Sequence, residues 1–385
     1  MATQKWNWQQ PDWPNFSHEK SRMETFEKAY LKASGVSLGM MQSLGSEEQA
    51  MYAVEFMADE AVQTSEIEGE ILNRDSVRSS IIREFDLGDD SKLSGIKPEE
   101  LGIARMMKQL YGAFKGPLTH EMLWDWHDQL MSGRHGIKAG EYRTHKEDMK
   151  IISGPLHKPK THFIAPPSDQ VPEEMDTFIA WFNRTAPGQR NPLPPLTRAG
   201  IAHLHFLSIH PFEDGNGRLS RALVIKALSQ EMDAPVLTAI SSVINARRNK
   251  YYESLGVQSQ GNEITDYLSD FGQTLLDAQQ LTIKKLEFIA AKAKYLHHFQ
   301  GRLNPRQEKV ILRMFKEGLD GFQGGLSVKN YVAITKTSRA TATRDLADLV
   351  KKGAFSRTGQ LKSTRYELHL APFQLQIFQL TDTTN

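Results

Sequence analysis

Residues 197–230 constrain the fold most, because their pattern requires two helices that meet at one tight, polar, glycine-rich turn. Ala202, Phe206 and Ile209 recur at helical spacing, and Leu219, Ala222, Leu223 and Ala227 resume it after the turn. Between them runs His210-Pro211-Phe212-Glu213-Asp214-Gly215-Asn216-Gly217-Arg218-Leu219-Ser220-Arg221. Pro211 disfavours the helical conformation at His210 and so ends the first helix. The second helix begins with unpaired N–H groups and the positive end of its dipole, which together favour a phosphate. Arg218 and Arg221, three apart, present their guanidinium groups on one side. Asp214 offers a hard oxygen suited to Mg²⁺, and His210 stands where it can take a proton from a hydroxyl. A base, a metal carboxylate, a phosphate nest and two arginines are the parts of phosphoryl-type transfer. The helical flanks argue against a hairpin turn. A calcium loop is disfavoured because Arg218 stands where an oxygen ligand is needed.

Composition narrows the class. The 385 residues suggest two or three domains. No cysteine is present, which excludes a disulfide scaffold, a thiolate nucleophile and Cys-ligated zinc or iron–sulfur. The net charge is +1, so any nucleic-acid site must be local. No cationic segment followed by an apolar run opens the chain, and no apolar stretch of membrane-spanning length occurs. A cytoplasmic protein with no membrane partner is expected.

The rest of the chain reads as a helical body with two exceptions. Trp6, Trp8 and Trp13, with Pro11, Pro14 and Phe16, form an arm that opposes helix. Its indoles are read as anchors to the core, with a peptide- or base-stacking site as the alternative. Helices are expected from Ser17 to Ser34, from a Ser46 cap to about Glu68 with Gly69 as its stop, and twice within residues 98–133. Others are expected at Val171–Asn183, Thr197–His210, Gly217–Gln230, Ile240–Leu255 and Glu263–Phe299. The second exception is residues 136–172, where Gly140, Gly154, Pro155 and Pro159 punctuate two β-prone pieces, Lys150–Ile152 and Thr161–Ile164, as in a hairpin. Residues 301–368 form a separate unit with 14 Lys and Arg against 6 Asp and Glu. Asn304-Pro305 opens a helix, Ser327 a second and Ser338 a third, before a short hairpin around Phe355 and Arg365–Leu368. Three helices and a two-stranded wing describe a winged helix.

The run from His210 to Arg221 resembles the signature of the Fic family of nucleotidyltransferases at all of that signature's specified positions. The resemblance implies a mostly α-helical Fic core and transfer of AMP from Mg·ATP to a protein Ser, Thr or Tyr hydroxyl. It implies that His210 is the catalytic base and Asp214 the Mg²⁺ ligand. Gly215, Asn216, Gly217, Arg218, Leu219, Ser220 and Arg221 would hold the nucleotide. His162, Phe163 and Ile164 resemble the family's flap, which holds the target by strand pairing. Tyr251 and Tyr252 resemble the tyrosine pair that closes the adenine pocket. Thr64-Ser65-Glu66-Ile67-Glu68-Gly69 resembles the family's inhibitory motif. By that resemblance Thr64, Glu68 and Gly69 form an inhibitory helix end, and Glu68 pairs with Arg221.

The chain is thus expected to be mainly α, with an arm and inhibitory helix over 1–97, a Fic core over 98–300 and a winged-helix-like unit and tail over 301–385. The expected activity is autoinhibited adenylylation of target proteins and of itself, with ATP and Mg²⁺ as cofactors. The alternative is a winged-helix DNA-binding regulator whose core senses nucleotide. DNA or a protein at the C-terminal unit, and a homodimer, stay open as partners.

Overall fold

The structure is a computed structural model that describes residues 5–87, 95–153 and 160–374. Gly154, Pro155 and Pro159, read above as turns, lie outside the described residues, as does the tail beyond 374. The described chain is mostly helical: α1 (Lys20–Gln42), α2 (Ser46–Ile67), α3 (Arg74–Glu84), α4 (Pro98–Gly112) and α5 (His120–Leu130) precede an antiparallel pair, β1 (Lys150–Ser153) and β2 (Lys160–Ile164). Then follow α6 (Val171–Arg184), α7 (Pro195–Ile209), α8 (Asn216–Met232), α9 (Ile240–Ala246), α10 (Arg248–Gln258) and the long α11 (Thr265–Phe299). None of the described helices is long and apolar enough to cross a membrane. Two compact units result, one of residues up to 39 and 50–282, the other of 40–49 and 283 onward.

In the first unit α7 is the central helix, with every residue buried except Leu207. A helix buried on every side is a core element, and this one carries Arg198, His203 and His205 into the core with it. Glu27 of α1 fixes its start, because the carboxylate accepts from the N–H groups of Leu196 (3.0 Å) and Thr197 (2.8 Å). These are first-turn donors with no partner within their own helix. Lys226 of α8 donates to the carbonyls of Ala113, Phe114 and Gly116 after α4, so α8 is tied to the same core.

The helix boundaries differ from expectation in three places. α1 starts at Lys20, because the backbone of Ser17 instead pairs with Asn262 and Ile264. It runs on to Gln42 through Gly35 and Gly39, whose cost of about 1 kcal/mol each is met by tertiary contacts such as Gln279 Nε2 to Ser37 Oγ. The expected helix over 240–255 is two helices, broken at Arg247. α3 was not expected. Its Asn73 cap accepts from Ser76 N–H, but its Ser- and Arg-rich interior carries little apolar periodicity.

The second unit holds the later part of α11 with α12 (Pro305–Phe315), α13 (Val328–Thr335), α14 (Arg339–Lys351) and an antiparallel pair, β3 (Phe355–Thr358) and β4 (Arg365–Leu368). Asn304, Ser327 and Ser338 cap the three helices as expected. Ala342, Leu346 and Leu349 of α14 are buried with Val310, Tyr331 and Phe355.

Two core histidines make the first unit acid-sensitive. His205 is enclosed by Trp13, Phe16, Phe178 and Trp181, and neither ring nitrogen has a hydrogen-bond partner. Burial lowers both His203 and His205 to about 3. Between pH 6.5 and about 3 these groups take up protons only in the unfolded chain, so stability is complete above pH 6.5 and falls below it. Each neutral histidine costs about 1.4 kcal/mol per pH unit in that window. Together they remove about 4 kcal/mol by pH 5, a large part of a typical total of roughly 5–15 kcal/mol. Thermal unfolding followed from pH 7.5 to 5 should show this fall, and His205→Phe should make it shallower by about half of that amount. A melting midpoint unchanged down to pH 5 contradicts the burial of neutral imidazoles.

Candidate nucleotide site and inhibitory turn

The site forms where α7 stops and α8 starts. His210 caps α7 in the left-handed conformation, φ 52° and ψ 60°, with its N–H on Phe206 O. Gly215 at φ +81° caps α8. The Asn216 side chain closes the turn on itself: Oδ1 accepts from Phe212 N–H at 3.0 Å and Nδ2 donates to Phe212 O at 2.8 Å. The Asn216 amide is therefore a clamp, and what this residue offers a ligand is its backbone N–H. The first bond of α8 runs from Leu219 N–H to Gly215 O, so the N–H groups of residues 216–218 precede the ladder. Leu219 is buried in the apolar core, and Ser220 Oγ donates to Gly217 O. Neither side chain is available to a ligand.

His210 is partly buried, and burial together with the Arg143 guanidinium lowers it to about 4. It is therefore neutral at neutral pH and can accept a proton. Arg143, 2% exposed, donates to the carbonyls of His210 (2.8 Å), Ile209 (3.2 Å) and Pro166 (2.6 Å) and to Ser168 Oγ (2.8 Å). It fixes the carbonyls of the turn that carries the imidazole.

Arg218 and Arg221 are each about 1% exposed. Arg221 donates to Thr64 Oγ1 (2.7 Å), Thr64 O (2.9 Å) and Glu68 Oε1 (2.7 Å). Glu68 and the nearby tyrosines raise its pKa against the effect of burial. Glu68 lies just past the end of α2 rather than as its last residue, in a turn closed by Glu70 N–H on Ser65 O and by Gly69 at φ +85°. Its carboxylate sits directly over the first turn of α8. A β-carbon added to Gly217 would lie within 3 Å of the Glu68 carboxyl carbon. A side chain at 217 would require the Glu68 carboxylate to move from its place over α8.

Glu70 was missed by the sequence reading. Its carboxylate pairs with Arg218 Nη1 (2.5 Å) and Arg134 Nη2 (3.0 Å). Arg134 also holds Asp214 Oδ2 at 2.7 Å, and Arg218 Nη2 lies 3.5 Å from the same oxygen. The only signal was the alternation of Glu66, Glu68 and Glu70, in which every second acidic residue looks like solvent-facing charge.

The residue types fit a phosphate with a divalent cation. Arg218 Nε and Nη2 and Arg221 Nη1 are buried donors without hydrogen-bond partners. Asp214 supplies one carboxylate, and among the described residues no cluster of three or more His, Asp or Glu could hold a metal by itself. One carboxylate beside a triphosphate is a usual arrangement for Mg²⁺.

The tyrosine pair diverges. Tyr252 directs its hydroxyl at Ile67 O (3.3 Å) and Glu68 Oε2 (3.5 Å), whereas Tyr251 pairs with buried His203 (2.9 Å). In the hairpin, Lys150 pairs with Ile164 and Ile151 with Phe163. Phe163 is buried against Trp6, and Ile164 O accepts from Trp8 Nε1 at 2.7 Å.

Comparison with known proteins shows what the stretch around this turn is similar to. The Fic/DOC family model matches residues 117–228, which include α5, the hairpin, α7 and the turn. Residues 117–228 form a Fic domain. A second match, to a domain of unknown function, covers residues 6–87. Over 215 residues, 55% of this chain and 39% of theirs, the chain is 27% identical to the protein adenylyltransferase Fic of Drosophila yakuba and 26% to that of Drosophila mojavensis. It thus spans about two fifths of the length of these relatives. A Fic family protein from Desulfovibrio desulfuricans G20 shares the fold, with a TM-score of 0.51 over 89% of this chain and 95% of that one at 22% identity. His210 and both arginines lie within the stretch matched to the Fic/DOC family, and Glu68 reaches Arg221 from the other matched stretch, residues 6–87.

Proposed function

We propose that the chain is a protein adenylyltransferase held inactive by its own Glu68. The observation that carries this reading is the Glu68 carboxylate over Gly217 and paired with Arg221, where an anionic ligand of α8 would sit. His210 accepts the proton of a target Ser, Thr or Tyr hydroxyl as that oxygen bonds to the α-phosphorus. The bond from phosphorus to the bridging oxygen breaks, and pyrophosphate leaves with the electron pair. The N–H groups of residues 216–218 and the arginines orient the phosphates. Asp214 would hold Mg²⁺, which supplies charge neutralisation at the departing pyrophosphate. With Glu68 in place, Arg221 is taken and the outer phosphate has no productive seat. The test is transfer of label from α-labelled ATP to protein in the presence of Mg²⁺.

A second reading is favoured by the surface of α14. Arg339, Ala340, Thr343, Arg344, Ala347 and Lys351 are exposed, while Asp345 is buried with Arg306 and Tyr331. A face that is cationic and small suits a phosphate backbone. If this unit is a winged helix that binds DNA, the full chain shifts a short duplex at about 50 mM salt and loses it by about 200 mM. The double variant Arg339→Ala with Arg344→Ala should abolish the shift. No shift at low salt removes the DNA reading.

A further inference from the structure

We infer that the N-terminal arm, residues 6–8, is a positioning element for the acceptor side of the site, an inference that rests on the adenylyltransferase reading. The arm lies more than 140 positions from the hairpin it supports. Asn7 is fully buried, and its polar groups are satisfied by the catalytic region and by one loop. Its Nδ2 donates to Ser208 Oγ at 2.7 Å, two residues before His210. Its N–H donates to Ser259 O at 2.7 Å, its carbonyl accepts from Asn262 Nδ2 at 3.1 Å, and its Oδ1 accepts from Trp8 N–H at 2.9 Å. A buried polar side chain with every group paired fixes its backbone in one place.

The two flanking indoles then meet the hairpin. Trp6 packs edge-on against Phe163, with ring centroids 5.4 Å apart. Trp8 Nε1 donates to Ile164 O. Trp6, Phe163 and Ala165 form an apolar cluster of their own, with Trp8, Met149, Ile151 and Ile164 around it. An isolated two-stranded hairpin is marginal in water, and this one takes its apolar support from the arm. Arg143 holds the same end of the hairpin from the other side of the chain, because it bonds Pro166 O, two residues after Ile164, and also Ile209 O and His210 O. Both supports therefore refer the hairpin to residues 208–210. The height of a target segment on the hairpin, relative to the His210 imidazole, is set by Asn7 and the two tryptophans. None of the polar contacts of residues 6–8 involves Arg218, Arg221 or Glu68.

The consequence is an asymmetry between the two substrates. In the full chain carrying Glu68→Gly, Trp8→Phe keeps an aromatic ring and removes the donor to Ile164 O. Hydrogen exchange of the amides of 150–152 and 161–164 should rise about five- to tenfold, as loss of one hydrogen bond implies. With a soluble protein extract as acceptor, the half-saturating extract concentration should rise by a similar factor. The dissociation constant of a non-hydrolysable ATP analogue with Mg²⁺ should stay within about twofold. Trp8→Ala should enlarge the first two effects. Unchanged hairpin exchange in Trp8→Phe overturns the inference. So does raised exchange with unchanged acceptor saturation, which would make the arm a structural staple only. If the Glu68→Gly parent transfers no label at all, the adenylyltransferase reading fails, and hairpin exchange still decides whether the arm holds the hairpin.

Discussion

In a Glu68→Gly background, His210→Ala lowers AMP transfer by about 10²–10⁴-fold, the usual contribution of a general base. Binding of Mg·ATP stays near that of the parent. The separation follows from geometry. The imidazole is carried by the last residue of the α7 cap, whereas the phosphate donors belong to α8 and its arginines. Burial and Arg143 lower His210 to about 4. Assayed below its melting temperature, the parent should therefore keep its rate from pH 8 down to about 5 and lose it as the imidazole protonates near 4. Parallel labelling and nucleotide titration of the two variants check this. Near-parent labelling by His210→Ala removes the base role.

Glu68→Gly raises transfer about 10- to 100-fold over wild type. Glu68 gives Arg221 a charge-assisted hydrogen bond, worth roughly 1.5–3 kcal/mol. A tenfold change in rate corresponds to about 1.4 kcal/mol. Removing the carboxylate also clears the space over Gly217 and restores an Arg221 donor to the incoming phosphate. Arg221→Ala should not mimic this gain, because the same guanidinium is needed to hold the nucleotide. Glu70 adds a second restraint, since it neutralises Arg218 and holds Arg134 beside Asp214. Rates measured side by side for wild type, Glu68→Gly and Arg221→Ala test the contact from both ends.

The α7–α8 turn was legible because its chemistry is local. Helical spacing, Pro211 and the Gly215–Gly217 segment specify where one helix stops and the next begins. The caps of the second unit were legible for the same reason, as Asn304, Ser327 and Ser338 each bond N–H groups a few residues ahead. Long-range partners left weaker signals. Ser17 looks like a cap until its backbone meets Asn262 and Ile264, some 245 positions away. The Asn216 side chain shows its partner only in the fold, where its amide closes on Phe212 and leaves the backbone N–H for a ligand. Glu70 and Arg134 carry no periodicity or motif, and only the fold brings them to Arg218 and Asp214. The tryptophans of the arm were legible as anchors. That two of them anchor the hairpin required its position in space.

In the proposed function the turn after α7 is a nucleotide site closed by the chain's own Glu68 carboxylate. The most direct measurement is label retained on protein from α-labelled ATP with Mg²⁺, for wild type, Glu68→Gly, and Glu68→Gly combined with His210→Ala. Trace label on wild type, strong label on Glu68→Gly and a return to trace in the double variant are the expected results. Glu68→Gly labelling no faster than wild type would contradict the proposed function.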